Sequence, residues 1–192
     1  MSTQPHTYAP GDPETALKYA IQHLEWDRVQ IVEGIIQPLS PTWGHEKASP
    51  TWGHEKAITK IRRQVEPVAD KLGCFAGSGN IDLPGTSNWY VPDLAIVPED
   101  LSGEDALLPD QTLLVVEVTS DSNGDTDRVV KRRRYAEYGA PLYLLVDRRE
   151  RSCTLFSDPG ELGYMKADGP RPFGTPMHLP EPFELALDTS EF

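Results

Sequence analysis

Leu113-Leu114-Val115-Val116-Glu117-Val118-Thr119 is the stretch that decides the fold. Four consecutive branched apolar residues, followed by one acid and another valine, do not alternate as a half-wet strand would. They read as a strand covered on both faces, which requires helices on either side of a sheet. A second run of this kind, Leu142-Tyr143-Leu144-Leu145-Val146-Asp147, lies downstream. Between them Asp127 to Tyr138 reads as a helix closed by Gly139. Strand, helix and strand in that order suit a crossover unit.

Working outward, Cys74–Leu83 and Tyr90–Val97 read as strands, and Ser152–Ser157 and Tyr164–Ala167 as shorter ones. A helix over roughly 53–72 carries the stripe Ile58, Ile61, Val65, Val68, Ala69 and Leu72, with Gly73 at its end. Pro13 to Trp26 reads as a short helix. Arg28 to Leu39 reads as a hairpin turning at Glu33-Gly34. Residues 1–12 form a polar tail, and the proline-rich end from Gly169 is expected to wrap the surface. The expectation is an α/β (α+β) fold: one domain over 13–192, with a mixed central sheet flanked by helices.

The nonapeptide SPTWGHEKA occurs twice in tandem, at Ser40–Ala48 and Ser49–Ala57. It is too short for a repeat architecture. With Pro41 and Pro50 inside it, it reads as a duplicated loop over 40–57, which costs a fold little. The second copy runs into the helix, so His54 rather than His45 is the placed histidine. A lengthened hinge of this kind also permits exchange of the hairpin between subunits.

Composition narrows the class. The 192 residues are 38% hydrophobic and 25% charged, with a net charge of −12. That balance suits a folded domain and argues against a general nucleic-acid-coating protein. It leaves room for local basic patches, of which there are two: Lys56, Lys60, Arg62 and Arg63, and Arg128, Lys131, Arg132, Arg133 and Arg134. Each reads on charge alone as a solvated helix face. No run is long and apolar enough for a membrane span, and no secretory leader is visible. Two cysteines, Cys74 and Cys153, suit a reducing cytoplasm.

Two acids break the local logic. Glu117 closes the most apolar strand, and Asp93 follows Pro92 and opens Leu-Ala-Ile-Val. Either one alone fits a strand end facing water. Two carboxylates converging from neighbouring strands make an oxygen-ligand site that suits Mg²⁺ or Mn²⁺. No Cys/His zinc spacing is present. Asp127 and Lys131 stand four apart on one helix face, so Lys131 either pairs with Asp127 or approaches the acids.

The pattern Val91-Pro92-Asp93, Val116-Glu117-Val118-Thr119-Ser120, Asp127-x-x-x-Lys131-x-x-x-Tyr135 and Tyr138-Gly139-Ala140-Pro141 leading into Leu142–Asp147 resembles the Uma-two family. The resemblance spans about residues 24–187. These proteins are restriction-endonuclease-like, of the PD-(D/E)XK class. The resemblance implies that Asp93 and Glu117 ligate the metal. It implies that Lys131 replaces the lysine usually two residues after the acid, where this chain has Thr119. Glu33 and His54 are further candidates near the site, and Arg132 and Arg134 are candidate DNA contacts. Tyr135 and Tyr143 read as packing residues. The implied function is a metal-dependent DNA endonuclease acting as a homodimer. A non-catalytic binding module on the same fold, or another metal-assisted nucleotide or RNA hydrolase, are the alternatives.

Overall fold

The computed structural model describes residues 13–23, 29–39, 51–119 and 124–192. The first copy of the nonapeptide, His45 included, lies outside them, as does the tail at 1–12.

The chain order is α1 (Pro13–His23), the hairpin β1 (Val29–Val32) and β2 (Ile35–Pro38), then α2 (Trp52–Lys71). Strands β3 (Cys74–Gly77), β4 (Ile81–Asp82), β5 (Trp89–Tyr90), β6 (Leu94–Pro98) and β7 (Leu114–Val118) follow. A π-helical turn, Thr126–Lys131, runs into α3 (Arg132–Glu137), and β8 (Leu142–Asp147), β9 (Ser152–Gly160), β10 (Gly163–Pro172), β11 (Met177–Leu179) and β12 (Leu185–Leu187) complete the chain.

A six-stranded sheet in the order β10-β9-β8-β7-β6-β3 forms the centre. Only β7 and β8 run parallel; their neighbours are antiparallel. The mixed sheet expected from the two apolar runs is therefore present, and the β7–α3–β8 crossover is its parallel unit. Side-chain alternation divides the core. Leu94, Ile96, Leu114, Val116, Val118 and Leu144 face α2, whose Ala57, Ile61, Val65 and Ala69 are fully buried against them. Ala95, Val97, Val115, Tyr143 and Leu145 face the other way, with Tyr135, Tyr90 and Val32. Glu117 shares the parity of Val115, so it points to the side of α3.

Four expectations are corrected. The stretch Cys74–Leu83 is not one strand. β3 joins the large sheet, while β4 joins a second, four-stranded sheet ordered β2-β1-β5-β4. The 90–97 stretch divides likewise at Val91-Pro92-Asp93, because Pro92 has no N–H to offer a ladder. The C-terminal region does more than wrap the surface: Met177, Leu179, Phe183 and Leu187 are buried in the α2-side core. Finally, β9 and β10 run longer than the apolar residues alone suggested. They form an edge hairpin whose outer strand is mostly polar.

The two cysteines are buried and form no disulfide. Among the described residues no helix is long and apolar enough to cross a membrane.

Candidate active site

Asp93 and Glu117 meet at one end of the central sheet. The register Leu94↔Val116, continued one step, sets Asp93 opposite Glu117. Asp93 Oδ2 accepts a hydrogen bond from the Val118 backbone N–H at 2.7 Å, which fixes the carboxylate on the neighbouring strand.

Glu117 is 2% exposed and takes a hydrogen bond from Lys131 Nζ at 2.9 Å. The same ammonium lies 3.3 Å from Asp127 Oδ1. Lys131 thus does both things the spacing allowed: it pairs with Asp127 and reaches Glu117. Lys131 is the last residue of the π-helical turn, a geometry frequent at functional sites. Tyr135 Oη donates to the same Glu117 oxygen at 3.3 Å. Reading Tyr135 as packing was half correct, since it is buried but also bonded to the site. Tyr143 is buried, and its hydroxyl donates to the Asp127 backbone carbonyl at 2.9 Å.

His54 joins this group. Thr51 caps α2, accepting from the His54 N–H at 3.3 Å, and this places the imidazole inward. Its Nε2 lies 3.2 Å from Asp93 Oδ2 and its Nδ1 3.6 Å from Glu55 Oε1. The second nonapeptide copy therefore does supply a placed histidine.

The electrostatics follow from crowding. Burial pushes the Glu117 carboxyl well above its ordinary range. Lys131 opposes this, and the charges of Asp127 and Asp93 add to it. Asp127 is raised for the same reasons. Burial works against the Lys131 ammonium, but Glu117, Asp127 and Asp93 outweigh it and hold the cation charged. Burial also opposes protonation of His54, and its bond to Asp93 with the charges of Asp93 and Glu55 prevails, raising it. Three carboxylates facing one ammonium leave about two negative charges to be met by protons or by another cation. A hard divalent ion fits that donor chemistry and that charge. Among the described residues no group of three or more His, Cys, Asp or Glu is already arranged as ligands.

The remaining candidates fall elsewhere. Glu33 does not join the carboxylates. Its side chain accepts two bonds from Arg134, at 2.9 and 3.0 Å, and one from Asn88 at 3.3 Å. Arg132 lies over the Phe156 ring, 5.0 Å from its centre, and with Arg133 and Lys166 lines a cavity of about 290 Å³ beside β10. The second basic patch is the solvated face expected only at Arg133, which is exposed. Arg128 forms a bidentate pair with Asp147, at 2.6 and 2.8 Å, and Lys131 is buried. The first patch is the solvated face expected: Lys60 pairs with Glu191 and Arg62 with Glu66.

A mixed sheet with acids at adjoining strand ends and a lysine brought to them from the following helix defines a restriction-endonuclease-like protein. The family model for Uma2, described as "Putative restriction endonuclease", matches residues 19–190, and the chain belongs to this family, the Uma-two family of the sequence motifs. The crystal structure of a putative nuclease belonging to DUF820 from Anabaena variabilis ATCC 29413 has the same fold. Its TM-score is 0.69 at 15% identity, covering 91% of this chain and 95% of that one. Comparison with curated proteins gives no match.

Proposed function

We propose that the protein is a divalent-metal-dependent endonuclease that hydrolyses phosphodiester bonds of DNA. The observation that carries this reading is the meeting of Asp93, Glu117 and Lys131 at one sheet end, with more carboxylate charge than the lysine balances.

Asp93 and Glu117 are the residues that would hold Mg²⁺ or Mn²⁺. A bound ion of this kind supplies Lewis-acid stabilisation of charge building on the phosphate. The chain's own groups do the rest. His54 and the Val118 N–H orient Asp93, and Tyr135 orients Glu117. Lys131 offers a fixed ammonium to the attacking water or to the phosphate oxygen. A homodimer would supply two such sites for two strands.

The test is plasmid nicking with Mg²⁺ or Mn²⁺, comparing the wild type with Glu117→Gln and Lys131→Met. Metal-dependent cutting lost in both variants is the expected result. A folded wild type that neither cuts nor binds Mn²⁺ by calorimetry would refute it. That outcome would favour the non-catalytic module, a reading supported by the near-complete burial of Glu117, Asp127 and Lys131 and by the −12 charge.

A further inference from the structure

We infer that Arg134 is a phosphate-binding site for the substrate strand, and that Glu33 occupies it in the free protein as an internal stand-in for the phosphate. The inference rests on the nuclease reading for its ligand, and its geometry stands apart from the metal-ligand candidates.

The two bonds to Glu33 come from Nε to Oε1 and from Nη2 to Oε2, while Nη1 is held separately by Glu137 Oε2 at 2.9 Å, so removing Glu33 frees the Nε/Nη2 fork alone. This two-pronged arrangement is the one a guanidinium offers to a phosphate as readily as to a carboxylate. The pair spans 101 residues of sequence and ties the β1–β2 turn to α3. Both side chains are partly exposed, 26% for Arg134 and 45% for Glu33, so an incoming anion can reach the fork. Arg134 sits one turn beyond Lys131 on the helix that serves the site.

Glu33 is an odd residue for its position. Its φ is +47°, and Gly34 follows at +77°, in a two-residue turn closing Val32 against Ile35. Such turns need left-handed backbone at both positions, and asparagine before glycine serves them best. Glutamate gains nothing there from the backbone. What it contributes is a carboxylate on Arg134.

A second observation lies in the space between this fork and Lys131. Tyr90 is fully buried, and its hydroxyl has no hydrogen-bond partner among the described residues. Lys131 Nζ lies 6.0 Å from the Tyr90 ring centre, and the phenol feels the charges of Glu33, Lys131, Arg134 and Glu117. A buried donor without an acceptor is costly, so an acceptor is favoured there once the Glu33–Arg134 pair opens.

The experiment uses Glu33→Asn, which keeps a residue suited to the turn while removing the carboxylate. Binding of a labelled DNA duplex is measured by fluorescence anisotropy for the wild type, Glu33→Asn, Arg134→Gln and the double variant. The shift in melting temperature with inorganic phosphate is measured alongside. Freed from a partly exposed ion pair, Glu33→Asn is expected to bind DNA roughly three- to tenfold more tightly. It should also gain a phosphate-dependent rise in melting temperature. Both gains should vanish when Arg134→Gln is added. No gain overturns the inference. A gain that survives Arg134→Gln overturns it too, since it would reflect only the smaller net negative charge. A phosphate gain that depends on Arg134 in a protein that cuts no DNA keeps the anion site and refutes the nuclease reading instead.

Discussion

Replacing Lys131 with methionine keeps most of the side-chain volume and removes one charge from the centre of the acidic cluster. At an effective dielectric constant near 20, unit charges 2.9 Å and 3.3 Å apart attract by about 6 and about 5 kcal/mol. Most of that is offset in the wild type by the cost of taking the ammonium out of water, since Lys131 is 4% exposed. The loss on breaking the cluster is the smaller net figure, about 3–5 kcal/mol, because Glu117 and Asp127 stay buried without their cation. This loss depends on pH with a definite sign. Without Lys131 the folded-state pKa values of Glu117 and Asp127 rise further, while the unfolded values stay near 4. A raised folded value means the penalty is absent below the unfolded value and grows as pH rises through the folded one. Urea unfolding followed by tryptophan fluorescence should show the variant nearly level with the wild type at pH 4, and lower by about 3 kcal/mol or more at pH 8. An equal loss at both pH values would mean that lost packing, not charge, sets the cost. No loss at pH 8 would refute the buried cluster outright.

Glu117→Gln should behave in the opposite way. It relieves repulsion with Asp127 and Asp93, so its melting temperature should match or exceed the wild type while nicking is lost; a variant that melts well below the wild type contradicts this. Arg128→Gln should lower stability by about 1–2 kcal/mol at pH 7, discounted for the partial exposure of Arg128. Arg128 holds the Asp147 carboxyl below its usual range, so that contribution is present above the unfolded pKa near 4 and disappears as pH falls through the folded value; the gap between variant and wild type in urea should close in acid. Lys18→Met removes the ammonium 2.6 Å from the buried Asp82 carboxylate and should cost about 3–5 kcal/mol. An unchanged urea midpoint would show that α1 is not anchored by this pair.

Leu114–Val118 was legible because burial on both faces leaves no alternation, and Glu117 was conspicuous there because nothing else in the run is polar. The period of two that gives Glu117 to the α3 side, and the four-residue spacing of Asp127 and Lys131, carried the rest of the acidic cluster. Glu33 and Arg134 show where such reading stops. Both were candidates, but a pair 101 residues apart has no local periodicity to announce it. Strands β4 and β5 have two residues each, too few to alternate, so only the β1–β2 hairpin of the second sheet was legible. Among the C-terminal prolines, Met177, Leu179, Phe183 and Leu187 are spaced irregularly, and only the folded chain shows that they fill one core.

The crossover from β7 to β8 also has a kinetic meaning. Glu117 and Lys131 are 14 residues apart, and Asp127 and Lys131 only four. Closing such short loops costs little entropy, so these charges can meet early on the folding path. Asp93 and His54 must come from farther away, 39 residues from each other. The order expected on this ground is that the lysine is in place before the second carboxylate strand docks. The acid-rich sheet end would assemble around a cation from its own crossover, in an order that native-state hydrogen exchange could read as two successive protection steps.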